Sequence, residues 1–223
     1  MSWDPTWEEV FRSRDWGKYP PEELIRFVGR HYYSVPDRKT VRILEVGCGE
    51  GANVWFLARE GFDAYGIDGS PTAIAKAERR LQAEGLTARL HVGDIIALNA
   101  VYPSAWFDAV VDVACLQHNG MRALRKIVDQ VWGVLKPGGR VFSMLVAAGS
   151  YGDGLGREVE PRTFVDIREG PLEGKGFCHF VTQREAEGLF ADFADVAIEY
   201  ALRSLNNQQQ SYKQWVVQAR KPA

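Results

Sequence analysis

One segment constrains this chain more than any other: Val41-Arg42-Ile43-Leu44-Glu45-Val46-Gly47-Cys48-Gly49-Glu50-Gly51. An apolar run of strand length, Val41–Val46, carries an acid near its end and passes directly into glycines at positions 47, 49 and 51. A backbone without Cβ atoms can reverse sharply and lie close to a ligand at the strand's carboxyl end. The helix-prone stretch 52–60 follows and stops at Gly61. A strand, a tight turn and a helix in that order form the building block of a parallel sheet covered by helices.

The block repeats. Asp63–Asp68 reads as a second strand. Ser70 then supplies an N-cap and Pro71 a first helical position, for a helix ending near Gly85. Thr87–Val92 reads as a third strand, Phe107–Val113 as a fourth and Arg140–Val146 as a fifth. Between the last two, Leu124, Ile127, Val128, Val131, Trp132 and Leu135 recur at helical spacing until Lys136-Pro137-Gly138-Gly139 ends the helix. Strands alternating with helices predict a parallel sheet with right-handed crossovers. The chain's end departs from that rhythm. Thr182 and Glu185 form a capping box for a helix through Phe190. The strand-like runs Val196–Leu205 and Tyr212–Ala219 are joined by 206–210, too short for a crossover helix, so this pair is expected to be antiparallel.

A length of 223 residues suits a single domain. Two of its parts stand apart. Residues 1–40 read as an N-terminal helical cap carrying Trp3, Trp7, Phe11, Trp16 and Tyr19, with Pro21 opening a helix. Residues 147–181 read as an irregular, glycine-rich lid whose Arg157, Arg162, Arg168 and Lys175 suit an anionic or polar ligand.

Charge and cysteine usage prune the function classes. With 27 Lys plus Arg against 29 Asp plus Glu the net charge is −2, and no basic arm is present, so nucleic acid is disfavoured. Cys48, Cys115 and Cys178 are too few and too scattered for a disulfide framework or a zinc knuckle, and they read as small buried fillers. Asp112 and His118 lack further spaced carboxylates, so no metal is expected. No apolar run approaches the roughly 20 residues of a membrane span, and Met1–Pro5 lacks the basic start and apolar core of a secretory signal. A cytoplasmic location is expected.

Polar residues fall at successive strand ends. Asp68 ends the second strand, 23 residues after Glu45, where a carboxylate can accept both hydroxyls of a ribose. Gly93-Asp94-Ile95 ends the third, where an acid and a backbone N–H can read an adenine edge. The glycine spacing is G-x-G-x-G, and Ala52 stands where a dinucleotide fingerprint has its last glycine.

With Ile43–Gly51, Gly66-Ile67-Asp68-Gly69-Ser70-Pro71, Gly93-Asp94-Ile95, Phe107–Asp112 and Leu135–Gly139 in this order, residues 41–146 resemble the class I S-adenosylmethionine-dependent methyltransferases of the small-molecule type. The resemblance implies an α/β, Rossmann-like, seven-stranded doubly wound sheet of order 3-2-1-4-5-7-6 with the last strand antiparallel. It implies S-adenosyl-L-methionine as cofactor, with Glu45, Gly47, Cys48, Gly49 and Gly51 lining the methionine moiety. Asp68 would hold the ribose, Asp94 and Ile95 would face the adenine, and the backbone at Val113 and Ala114 would approach the cofactor amino group. Gly69 stands where a bulky apolar residue often packs on adenine, so that packing must come from elsewhere or be weaker. From the cap, Trp16 or Tyr19 would lie near the ligand.

His118 follows the fourth strand at the edge where an acceptor should lie, and its imidazole is a candidate proton acceptor. His179 is its rival, while His31 and His91 read as structural. After strand four the chain has Asp112-Val113-Ala114-Cys115-Leu116-Gln117-His118 and no [DNS]-P-P-[YFW] motif of nucleic-acid amino-methylation. The expected activity is in-line methyl transfer to a hydroxyl, carboxyl or amine of a small metabolite, by a monomer or homodimer. A non-catalytic S-adenosylmethionine-binding protein and an NAD-dependent oxidoreductase are the alternatives.

Overall fold

A computed structural model describes residues 3–223; Met1 and Ser2, the first residues of the expected cap and signal-free start, lie outside the described residues. The strands are β1 (Arg42–Val46), β2 (Asp63–Asp68), β3 (Arg89–Val92), β4 (Phe107–Val113), β5 (Leu135–Val146), β6 (Arg157–Glu160), β7 (Thr163–Val165), β8 (Cys178–His179), β9 (Ala194–Leu205) and β10 (Gln210–Arg220). The α-helices are α1 (Thr6–Ser13), α2 (Glu22–Tyr32), α3 (Ala52–Arg59), α4 (Pro71–Ala83), α5 (Leu98–Val101), α6 (Met121–Val134) and α7 (Gln183–Leu189).

Among the described residues seven strands form the main sheet, in the order β3-β2-β1-β4-β5-β10-β9. Since β9 and β10 are its sixth and seventh strands, this is the expected 3-2-1-4-5-7-6. The first five run parallel, and β10 is antiparallel to both β5 and β9. Register fixes the site's position. Glu45 pairs with Gly66 and Val111, and Val46 with Ile67 and Asp112, so Glu45, Asp68 and Val113 reach the same carboxyl edge.

Alternation along the strands sends side chains to two cores. Leu44, Val46, Ile67, Val110 and Leu145 meet the apolar stripe of α6. Ile43, Ala64, Ala109, Val111 and Phe142 meet α2 and α3, with Phe27 and Phe142 rings 5.2 Å apart. Burial of side chains of this size stabilises a fold by about 1.5–3 kcal/mol each. Local signals are realised where expected. The Ser70 hydroxyl accepts from Ala73 N at 3.0 Å, and Thr182 and Glu185 close a capping box; such caps contribute about 1 kcal/mol each.

Two expectations change. Lys136–Gly139 does more than stop a helix: β5 begins at Leu135, opposite Phe107, and Gly138 takes φ +78 as the ladder shifts past Asp108. Residues 147–181 carry more order than an irregular loop, though turns make up most of the segment. They fold as a small antiparallel sheet, β6-β7-β8, over a cluster of Phe164, Ile167, Leu172, Cys178, Phe180 and Tyr212. Positive-φ turns at Gly149, Gly152 and Gly154 lead from β5 into β6, and others at Gly170, Gly174 and Gly176 lie between β7 and β8, so the glycine surplus there builds turns.

Candidate active site

The turn after β1 is shaped by what it must pass. Gly47 has φ +65, and a Cβ there would overlap the Cys115 side chain. Gly49 has φ +51 and lies against Phe11. Gly49 N donates to Asp68 Oδ2 at 2.8 Å and Ser70 N to Asp68 Oδ1 at 2.9 Å, so both carboxylate oxygens are oriented by backbone. Burial raises the Asp68 pKa while these two bonds pull it back.

Glu45 is buried at the floor. Its Oε1 accepts from Asn53 Nδ2, but its Oε2 and Asn53 Oδ1 have no partner among the described residues. Burial pushes Glu45 up to about 8, against the lowering effect of Asn53 and the Val54 N–H. Two buried acceptors without donors are costly and unusual in a finished core.

These groups open on a cavity of about 330 Å³. Of the predicted residues, Glu45, Gly47, Cys48, Gly49, Asp68 and Gly69 line it, as do Ile95, Val113, Ala114, Trp16 and His118. Ala114 sits at φ +61, a left-handed conformation that costs a non-glycine residue about 1–3 kcal/mol and aims the chain into the site. Two predicted residues do not line the cavity. Gly51 is the N-cap of α3, where a Cβ would press on Ala77 of α4 at 2.8 Å; its role is helix packing. Asp94 turns its carboxylate onto Ile96 N at 3.2 Å and caps the turn Ile95–Ala97, so its backbone neighbours face the cavity instead.

The N-terminal segment roofs the site. Trp3 lies over Gly69 so closely that any side chain at 69 would meet its indole. Asp4 accepts from Thr6 N and Phe177 N, both at 2.9 Å, which ties the segment to the 147–181 appendage. Glu8 accepts from Ser70 and, at 2.6 Å, from Thr72, at the start of α4. Trp16 N donates to Glu50 Oε2 at 2.9 Å, and Lys76 holds the other oxygen of Glu50 at 2.7 Å. Tyr19 also lines the cavity.

His118 Nδ1 lies 2.8 Å from the Phe177 carbonyl, which can only accept. The proton is therefore assigned to Nδ1, leaving the Nε2 lone pair as the ring's acceptor. Its ring stands edge-on to Trp7 at 4.6 Å. Burial lowers its pKa to about 4, opposed by the Phe177 bond and reinforced by Lys175, so the ring is neutral at physiological pH. His179 lies elsewhere. It is buried outside the cavity, with Nδ1 2.8 Å from the Thr163 hydroxyl and Nε2 3.5 Å from Glu185, and it ties the appendage to α7. Asp112 accepts from Cys115 N and Leu116 N at 2.9 and 3.0 Å and from the Ser143 hydroxyl. It thereby holds the turn that presents His118, and burial raises its pKa to about 6. Burial also pushes the Cys48 and Cys115 thiols up, keeping them protonated.

Other cavity residues carried little signal in the sequence. Asn53 is one polar position in the apolar run 52–57, a usable clue. Gln117, Asn119, Arg203 and Tyr212 come from distant segments with no shared motif, whereas Lys175 is one of the basic residues expected in the glycine-rich segment.

A glycine turn between two acids at the carboxyl edge of a parallel sheet, under an aromatic roof, defines a Rossmann-like site for a nucleoside-bearing cofactor. Residues 43–139 match the methyltransferase-domain family. Norajmaline N-methyltransferase of Rauvolfia serpentina is 30% identical over 129 residues, covering 56% of this chain and 42% of its own. The ubiquinone biosynthesis O-methyltransferase of Xylella fastidiosa is 37% identical over 101 residues, covering 45% and 40%. The chain thus spans less than half the length of these curated relatives. The fold is shared with a SAM-dependent methyltransferase from Methanosarcina mazei, at TM-score 0.69 and 23% identity over 86% of this chain and 96% of that one.

Residues 43–139 thus form a methyltransferase domain similar to those of the class I S-adenosylmethionine-dependent methyltransferases, and S-adenosyl-L-methionine is the cofactor of such a domain. The residues present fit that group. The orphaned acceptors of Glu45 and Asn53 suit a cationic amino-acid moiety, and the oriented Asp68 carboxylate suits vicinal hydroxyls. Among the described residues no helix is long and apolar enough to cross a membrane, and no three His, Cys, Asp or Glu are grouped to hold a metal.

Proposed function

We propose that this protein methylates an oxygen or nitrogen of a small metabolite. The observation that carries the reading is the continuity of one cavity, from the Glu45 and Asp68 carboxylates to the His118 imidazole. Cofactor and acceptor would share this space, and the roof would keep water out.

When bound, the cofactor supplies a methyl group already activated on a sulfonium, so the protein's task is mostly placement. Glu45 and Asn53 would hold the amino-acid end, Asp68 the ribose, and Ile95 with Trp3 the base. Gly47, Gly49, Val113 and Ala114 would bring backbone against the ligand. Alignment of two reactants can remove about 7–11 kcal/mol of barrier. His118 would take the proton leaving the acceptor's hydroxyl or amine on Nε2, while Phe177 fixes its tautomer. A base with so low a pKa contributes toward the lower part of the usual ~10²–10⁴-fold. Residues 1–40 and 147–181 would act as cap and lid within one domain. The three free cysteines suit a reducing, cytoplasmic setting.

The test is calorimetric titration with S-adenosyl-L-methionine, its demethylated product and NAD, followed by transfer of a labelled methyl group to a metabolite panel. Binding of the first two with label transfer is expected. Binding of NAD alone would overturn the reading, and cofactor binding without transfer to any small molecule would favour a non-catalytic binding protein.

A further inference from the structure

Charge is distributed unevenly along the cavity. Its lining holds the carboxylates of Glu45 and Asp68 and, from other segments, the cations of Lys175 and Arg203 together with Trp7, Trp16 and Tyr212. Neither cation forms an ion pair or side-chain hydrogen bond with a described residue. Lys175 Nζ lies 4.7 Å from the centroid of the Trp16 ring, and the Arg203 guanidinium 5.9 Å from that of Tyr212. The nearby acids are already engaged. Glu50 is held by Lys76 and the Trp16 N–H, and Asp4 by two backbone N–H groups. Lys175 is half-buried, and its pKa is lowered by burial first and then by Arg14, with Arg203 adding to the same effect. A desolvated ammonium among like charges is unfavourable until an anion joins it. Aromatic side chains beside it, Trp7 and Trp16 set edge to face at 5.5 Å, offer ring surfaces to a flat body.

We infer that the methyl acceptor is an aromatic or similarly flat carboxylic acid, its carboxylate seated between Lys175 and Arg203 and its ring against Trp7, Trp16 and Tyr212. This inference rests on the methyl-transfer reading for the identity of the molecule, but the anion site can be tested without turnover. The cofactor's own carboxylate is the other source of such an anion. Lys175 acts electrostatically on His118, which follows β4, but it also sits over Trp16, whose N–H holds Glu50 of the glycine turn, so the experiment must separate the two sources.

The experiment titrates benzoate, salicylate and cinnamate, each against its amide, into protein saturated with S-adenosylhomocysteine and into cofactor-free protein. Calorimetry and quenching of tryptophan fluorescence give the affinities. At least one acid is expected to bind about tenfold or more tightly than its amide, as suits a charge-assisted contact. The gap should close in Lys175→Met and narrow severalfold in Arg203→Gln, with melting temperatures and S-adenosylhomocysteine affinity near the parent's. Acids binding no better than amides, or not at all, overturn the inference. So does a roughly tenfold loss of S-adenosylhomocysteine affinity in Lys175→Met, which would give the anion site to the cofactor. Failure of the parent protein to bind S-adenosylhomocysteine would sink the methyl-transfer reading, while the titrations in cofactor-free protein would still report on the anion site.

Discussion

The two ends of the cavity are built differently. The Glu45–Asp68 end comes from contiguous strand-turn-helix units between positions 42 and 74, held by backbone bonds such as Gly49 N to Asp68 and Ser70 N to Asp68. The His118–Lys175 end is assembled from α1, the turn after β4, the appendage and the β9–β10 pair. Its integrity depends on two links to one residue, Asp4 to Phe177 N and His118 to Phe177 O. The first end is a rigid piece of sheet edge whose chemistry is local. The second is a joint between segments, whose chemistry depends on how they pack together.

The largest effect should come from the rigid end. Gly47→Val would add a branched side chain at φ +65 and overlap Cys115. It should cost upwards of about 4 kcal/mol and abolish S-adenosylhomocysteine binding, read by melting and calorimetry. Cofactor affinity close to the parent's would refute the account of this turn.

Next comes the assembled end. His118→Gln should lower kcat by about 10²-fold or more and leave S-adenosylhomocysteine affinity unchanged. An equal loss in both would mean that the two ends are not separable.

A pH effect of intermediate size follows from Glu45. In the empty site it is protonated below about 8, whereas an ammonium ligand needs the carboxylate. Binding at neutral pH must then expel a proton. Affinity should rise up to about tenfold per pH unit toward 8 and level off above it. The same raised pKa means that the empty fold loses stability as pH climbs from the unfolded value of about 4.5 toward 8. Calorimetry in buffers of different ionisation enthalpy would detect the proton; Glu45→Gln should abolish its release, and release unchanged in that variant would assign it elsewhere.

The smallest effect tests how the cap joins the rigid end. Trp3→Ala should weaken S-adenosylhomocysteine binding severalfold. Gly69→Leu should be harmful in the parent, where Trp3 fills the space, yet tolerated in the Trp3→Ala background. Such coupling between touching residues amounts to about 0.5–3 kcal/mol, and strict additivity would contradict the contact.

Much of this was legible in order along the chain. Asp63–Asp68 and Phe107–Val113 are strands at the expected limits, and Ser70 and Thr182 cap the expected helices. Each of these features is governed by residues within a few positions, through burial periodicity and capping chemistry. Asp94 shows a local competition: an aspartate that can reach the amide two residues ahead caps the turn with one carboxylate oxygen. By contrast, no local pattern marks Lys175, Arg203 and Tyr212 as neighbours of His118. Nor does one show that Trp3 fills the space left by Gly69, or that residues 147–181 fold over their own small core.

The amino-acid sequence by itself determined the doubly wound sheet, the glycine turn and the acids at its edge, since short-range spacing and backbone conformation specify these. Only the tertiary structure decided which histidine faces the cavity, where the unpaired cations gather and what roofs the site. Those depend on packing between segments as far apart as Asp4 and Phe177, where the contact energy belongs to the pair and to neither segment alone.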